Sequence, residues 1–159
     1  MTAFAETTQL AKHAVHGKRG VVAAQNRKAA VVGAEILAAG GDAVDAAIAT
    51  SMALAATEPW MSGLGGGATM LVYRADTGQT HAIDGGMVAP QALDPKAYPM
   101  TGETAGDLFG WPQVQDDRNL KGPMAFAVPG GLAALGLAHE TFGRVPLAEL
   151  LAPAERLAA

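Results

Sequence analysis

The chain has 159 residues, enough for one domain that withdraws roughly 70% of its unfolded surface from water. Half of it is apolar, 5% is aromatic and the mean hydropathy is +0.18, which argues against disorder and for a core of alanine and small aliphatic side chains. A net charge of −4 with no basic patch argues against nucleic acid as a partner, and the absence of cysteine excludes disulfides, thiolate catalysis and cysteine-bound zinc.

Residues 1–19 are polar, lack strong periodicity and read as a tail or a short surface helix. They show no basic segment followed by an apolar one, so no secretory signal is expected and the cytoplasm is the expected location, or the periplasm if a signal has been removed. The expected domain spans 20–159. "GVVAAQ" (Gly20 to Gln25) is a short strand candidate. Asn26 caps a helix over "RKAAVVGAEILAAGG", with Val32, Ile36 and Leu37 apolar and Gly40–Gly41 as its left-handed stop. Asp42 opens the next helix, on which Val44, Ile48, Met52 and Ala55 share a face. Asp42 and Asp45 lie in its first turn, where the helix dipole favours negative charge. Its remaining surface is small, which suits pressing against a sheet or another helix. It carries Asp45 and several hydroxyls, and falls short of the roughly 18 uninterrupted apolar residues of a membrane span. Pro59 ends it.

Ala68 to Arg74 reads as a strand, Asp76 to Gly78 as a turn and Gln79 to Asp84 as the returning strand of a hairpin. Val88 to Gly122 is rich in Pro, Gly and Asp, long for a structureless loop, and suggests a functional excursion or lid. "MAFAVPGG" offers a last strand. Two helices follow, "GLAALGLAHETFG" and "PLAELLAPAERLAA", separated by Gly143 and Pro146. The second ends without a capping glycine or proline, as expected of either a frayed terminus or a piece of something longer.

Several motifs invite a chemical reading. Gly63-x-Gly65-x-x-Ala68 matches the dinucleotide-binding expression, but that motif needs a strand before it and a helix after it. Here a helix precedes and a strand follows, no Walker lysine is present, and Asp84, near the right distance, ends a hairpin strand. The loop glycines Gly63, Gly65, Gly66 and Gly67 are therefore read as structural, letting the backbone turn sharply and press on another segment. His13 and His16 stand at i,i+3 without a partner, and His81 and His139 are isolated, so no metal site is expected. Asp116–Asp117 reads as a solvated pair, and no G-x-S-x-G elbow exists.

In order, "GGDAVDAA", "EPWMSGLGGG", "IDGGMVAP" and "VPGG" resemble the gamma-glutamyltransferase family, specifically the first part of its large subunit. The resemblance covers roughly residues 20–159. It implies an α+β fold of the N-terminal-nucleophile hydrolase type, a four-layer αββα sandwich that is incomplete in this chain. It implies a precursor that cleaves itself into two subunits. The new N-terminal threonine attacks the amide of a small-molecule donor such as glutathione, with its own α-amine as base. The acyl group passes to water, an amino acid or a peptide, with no cofactor and no metal. The implied partner is the C-terminal remainder, or small subunit, of the same precursor. Without it, exposed sheet edges and an apolar face invite self-association and homo-oligomers.

Two departures accompany the resemblance. The nucleophilic threonine falls beyond this chain; Thr7–Thr8 precedes the matching region and follows no strand, so no catalytic residue is expected here and the isolated chain is expected to be inactive. The family's arginine after "DG", which grips the glutamyl α-carboxylate, and the acidic residue after it fall on Gly86 and Met87. A charged hydrogen bond contributes about 1.5–3 kcal/mol, so loss of that arginine is expected to lower glutamyl recognition by on the order of a hundredfold; either another cation replaces it or the acyl group is not glutamyl. Asp84, Gly85, Gly86 and Met87 are the expected wall of the acyl pocket. The rival expectations are an acylase for a non-glutamyl amide such as a cephalosporin-type side chain, a non-catalytic relative or assembly subunit, and, least favoured, a small-molecule binding module built on the glycine loop.

Overall fold

The computed structural model describes residues 14–159. Thr7, Thr8, His13 and most of the expected tail lie outside the described residues. The fold is α+β. Helix α1 spans Arg27–Ala38 and starts where the Asn26 side chain accepts a hydrogen bond from the Lys28 amide at 2.9 Å. It stops as Gly40 turns through φ +103°, with the Gly41 amide donating to the Ile36 carbonyl at 3.0 Å. Helix α2 follows as Ala43–Thr57, and a single turn, α3, as Pro59–Ser62.

Strands β1 (Ala68–Arg74) and β2 (Gln79–Gly85) form an antiparallel hairpin, in register from Ala68 opposite Gly85 to Arg74 opposite Gln79. Gly78, at φ +68°, allows the reversal between them. Then comes the excursion, pinched at its neck by a bridge between Val88 and Val128, whose backbone amides each donate to the other's carbonyl. It is not structureless: β3 (Met100–Thr104) pairs with β4 (Pro112–Val114) in a small antiparallel ladder. At its tip the Asp107 carboxylate accepts from the amides of Phe109, Gly110 and Trp111. Helices α4 (Gly131–Phe142) and α5 (Leu147–Ala158) complete the chain.

The core lies between the helices and one face of the hairpin. Helix α2 packs on α1, α4 and α5, while α4 also packs on both hairpin strands. Ile48, Ala49 and Ala53 of α2, Val72 and Ile83 of the hairpin, Ala134 and Ala138 of α4, and Leu150 of α5 form one buried cluster. Alanine dominates it because helices meeting over methyl groups approach closely. Alternation along β1 sends Leu71 and Tyr73 to the opposite face, where both are largely exposed.

Two expected strands are absent. Val21–Ala24 is not assigned to a strand and has no ladder partner among the described residues. It packs on α1 instead, so close that a Cβ on Gly33 would come 2.9 Å from a methyl of Val22. The stretch from Met124 keeps only the Val128 bridge, because Pro129 has no amide to offer and α4 begins at Gly131. On α2 the buried surface is broader than the expected face: Met52 and Ala55 are only partly covered, whereas Asp45, Ala46, Ala49 and Ala53 are buried.

Asp45 is more than a dipole partner. It is fully buried. One oxygen accepts from the Asp42 amide at 3.0 Å, closing a capping box with Asp42. The other accepts from the amides of Arg144 and Val145, 99 and 100 residues away, at 3.0 and 3.3 Å. Asp45→Ala leaves those donors without their acceptor and is expected to lower stability by about 3 kcal/mol. Chemical denaturation checks this; an unchanged midpoint and slope would refute the role.

Candidate functional site

Three glycine-rich stretches meet at the end of the hairpin opposite its turn: the loop Gly63–Gly67, Gly85–Gly86 at the end of β2, and Gly130–Gly131 at the start of α4. The Gly131 amide donates to the Gly66 carbonyl at 3.1 Å. A Cβ on Gly85 would lie 2.5 Å from the Gly130 carbonyl oxygen and from the Ala134 methyl. One on Gly130 would lie 2.6 Å from the carbonyl oxygens of both Gly85 and Gly86. One on Gly67 would lie 3.0 Å from the Gly85 oxygen. The glycines thus allow backbone to meet backbone, and the loop leads into β1 rather than into a helix that could receive a phosphate.

The loop glycines are not equivalent. A Cβ on Gly63 would strike the Pro59 carbonyl oxygen at 2.6 Å, one on Gly66 would make ordinary contact, and one on Gly65 would meet nothing within 4 Å.

Beside the junction, the sequence-predicted wall is contiguous but its members face different ways. Asp84 lies on the exposed face of the hairpin with Leu71 and Tyr73, and its Oδ1 accepts from the Gly86 amide at 3.0 Å. Gly85 is buried beneath α4. Gly86 is exposed, and a Cβ there would approach only Asp84 Oδ1, at 3.3 Å. Met87 is exposed and lines a cavity of about 390 Å³, together with Met52, Met61, Leu64, Leu132 and Leu135. Among the described residues no ionisable side chain lines this cavity.

Sequence reasoning singled out neither Gly130–Gly131 nor the apolar residues of α2, α3 and α4 as part of this site. "VPGG" was a visible signal for the glycines; nothing in the spacing of Met52 or Leu132 points to a shared cavity. Other candidates resolve into structure. His81 packs against the Phe142 ring at 5.1 Å between centroids, and His139 Nε2 lies 2.8 Å from the Val145 carbonyl oxygen. Asp116 and Asp117, both with left-handed φ, pair with Arg118 and Lys121. At the far, turn end of the hairpin, the hydrogen bond from the Arg74 guanidinium lowers the Asp76 carboxyl to about 2, a surface clamp remote from the cavity.

The chain as a whole is similar to known proteins. The family described as gamma-glutamyltranspeptidase matches residues 29–159. The chain belongs to this family. It is 40% identical to a glutathione hydrolase proenzyme of Pseudomonas aeruginosa over 135 residues, covering 85% of this chain and 22% of that protein. To the acylase ACY 1 proenzyme of a Pseudomonas species (strain SE83) it is 39% identical, covering 92% of this chain and 26% of that protein. The crystal structure of cephalosporin acylase from Bacillus halodurans superimposes with a TM-score of 0.76 at 32% identity, over 98% of this chain and 26% of that one. The chain therefore spans about a quarter of the length of these relatives.

Crowding at the junction separates two glycine substitutions that look alike in sequence. Gly85→Ala is expected to destabilise by about 2 kcal/mol or more, since rigid backbone must move. Gly65→Ala is expected to stay within about 0.5 kcal/mol. Thermal unfolding of the two variants side by side checks this; equal losses would contradict the packing.

Proposed function

We propose that this chain is the N-terminal portion of a proenzyme that cleaves or transfers an acyl group from an amide. The nucleophile is a threonine exposed by self-cleavage in polypeptide beyond residue 159. The observation that carries this reading is the family match over 29–159 by a chain that spans only about a quarter of its proenzyme relatives. Relatives named as glutathione hydrolases and as acylases both support amide chemistry. The exposed hairpin face bearing Leu71, Tyr73 and Asp84 supports a second sheet, supplied by the rest of the precursor, that completes a four-layer sandwich. In this arrangement the chain supplies scaffold and one wall of the acyl site, and the C-terminal remainder is its partner. Mass spectrometry of the full-length product is expected to find two fragments, the second beginning with threonine. An uncleaved, active precursor would overturn the proposal.

The acyl group is not glutamyl in this reading. The clamp position holds Gly86, where a Cβ would approach only the Asp84 carboxylate, at 3.3 Å, an exposed side chain that can give way, so packing does not forbid an arginine. The full-length enzyme is expected to use gamma-glutamyl p-nitroanilide poorly. Gly86→Arg is expected to raise kcat/KM for that donor about tenfold or more. Ordinary turnover of the donor by the unmodified enzyme at micromolar concentration would refute this.

A further inference from the structure

We propose that the cavity lined by Met52, Met61, Leu64, Met87, Leu132 and Leu135 is the acyl pocket, and that it takes an uncharged, apolar acyl group. This inference rests on the amide-acyl reading above and narrows it. Position is the first argument. Met87 lines the cavity and directly follows Gly86, the clamp position, and the backbone of Gly67, also in the lining, presses on Gly85 and Met87. Charge is the second. Among the described residues the walls carry no ionisable side chain, so a glutaryl or glutamyl carboxylate held here would gain no counter-charge from them. The polar side chains in the lining are Ser51 and Ser62, neutral hydroxyls. Size is the third. A volume of about 390 Å³ falls within the range of small-molecule sites, roughly 300–1,000 Å³. Three of the six named walls are methionines, whose unbranched side chains adapt to varied apolar shapes.

The reaction balances without a further reactant. The threonine oxygen bonds to the amide carbonyl carbon, the carbon–nitrogen bond breaks, and the amine leaves carrying the proton given up by the hydroxyl. Water then breaks the ester, releasing the free acid and restoring the hydroxyl.

The test compares hexanoyl, glutaryl and gamma-glutamyl p-nitroanilides on the full-length, self-processed enzyme. Hexanoyl is expected to exceed each of the others at least tenfold in kcat/KM. Preference for glutaryl or gamma-glutamyl would overturn the apolar pocket and leave the acyl reading standing; no turnover of any donor would overturn both. Leu132 is half-exposed, so Leu132→Arg adds a cation to the wall at a position that tolerates it. It is expected to shift the hexanoyl-to-glutaryl ratio at least tenfold toward glutaryl. Ala55→Phe, which fills the cavity, is expected to lower hexanoyl turnover at least tenfold. An unchanged ratio in Leu132→Arg would place the acyl group elsewhere, whether or not Ala55→Phe folds.

Discussion

The buried carboxylate of Asp45 is the constraint on which the rest of the structure depends. A charge without solvent must be met by donors, and Asp45 is met by backbone amides on both sides. The Asp42 amide belongs to the start of its own helix. The Arg144 and Val145 amides belong to the turn between α4 and α5. One side chain therefore ties the beginning of α2 to the end of α4 across most of the described chain. Asp42 adds to the tie, its second oxygen lying 3.4 Å from Arg144 Nε, though that contact is exposed and contributes little beside the buried one. With α2 and α4 locked together at this end, the opposite ends of both helices are held near the glycine junction. Small helix residues allow the close approach, and the carboxylate fixes its register.

At that opposite end the same logic takes a different form. Among the described residues no ion pair crosses the junction; carbonyls and amides of three chain segments press into contact, and the Gly131 amide donates to the Gly66 carbonyl across it. Such contact is possible only where there are no side chains, which is why glycine recurs at three separated places in the sequence. The consequence for function is geometric. The junction fixes the start of β1, the end of β2 and the first turn of α4 against one another. Met87 and Leu132, each beside a junction glycine in sequence, thereby become walls of one cavity.

Local features were legible in the sequence because their causes are local. Asn26 and Asp42 cap the helices that follow them, Pro59 closes α2, and alternation marks the hairpin, all through contacts within a few residues. The family resemblance was legible because it rests on the order of short motifs. What was missed has non-local causes. Val21–Ala24 has strand character but no neighbouring strand among the described residues, and β structure requires a partner that no window of sequence supplies. Asp45 looked like a dipole partner because its long-range donors are backbone amides, which carry no residue identity. The glycines of the loop looked interchangeable, and only the position of Pro59 and Gly85 makes Gly63 and Gly67 crowded while Gly65 is free.

The distribution of charge adds a last step. Charged groups cluster where chain segments are clamped: Asp42, Asp45 and Arg144 at one end of the helix pair, Arg74 and Asp76 at the hairpin turn, Asp116 to Lys121 in the excursion. The cavity at the glycine junction stands apart from all three, lined by thioether, aliphatic, hydroxyl and bare backbone groups. Gly86 beside this lining carries no side chain, and Met87 after it is apolar, so neither brings a charge to it. Selectivity arising from this lining alone would therefore rest on shape and apolar contact rather than on ion pairing.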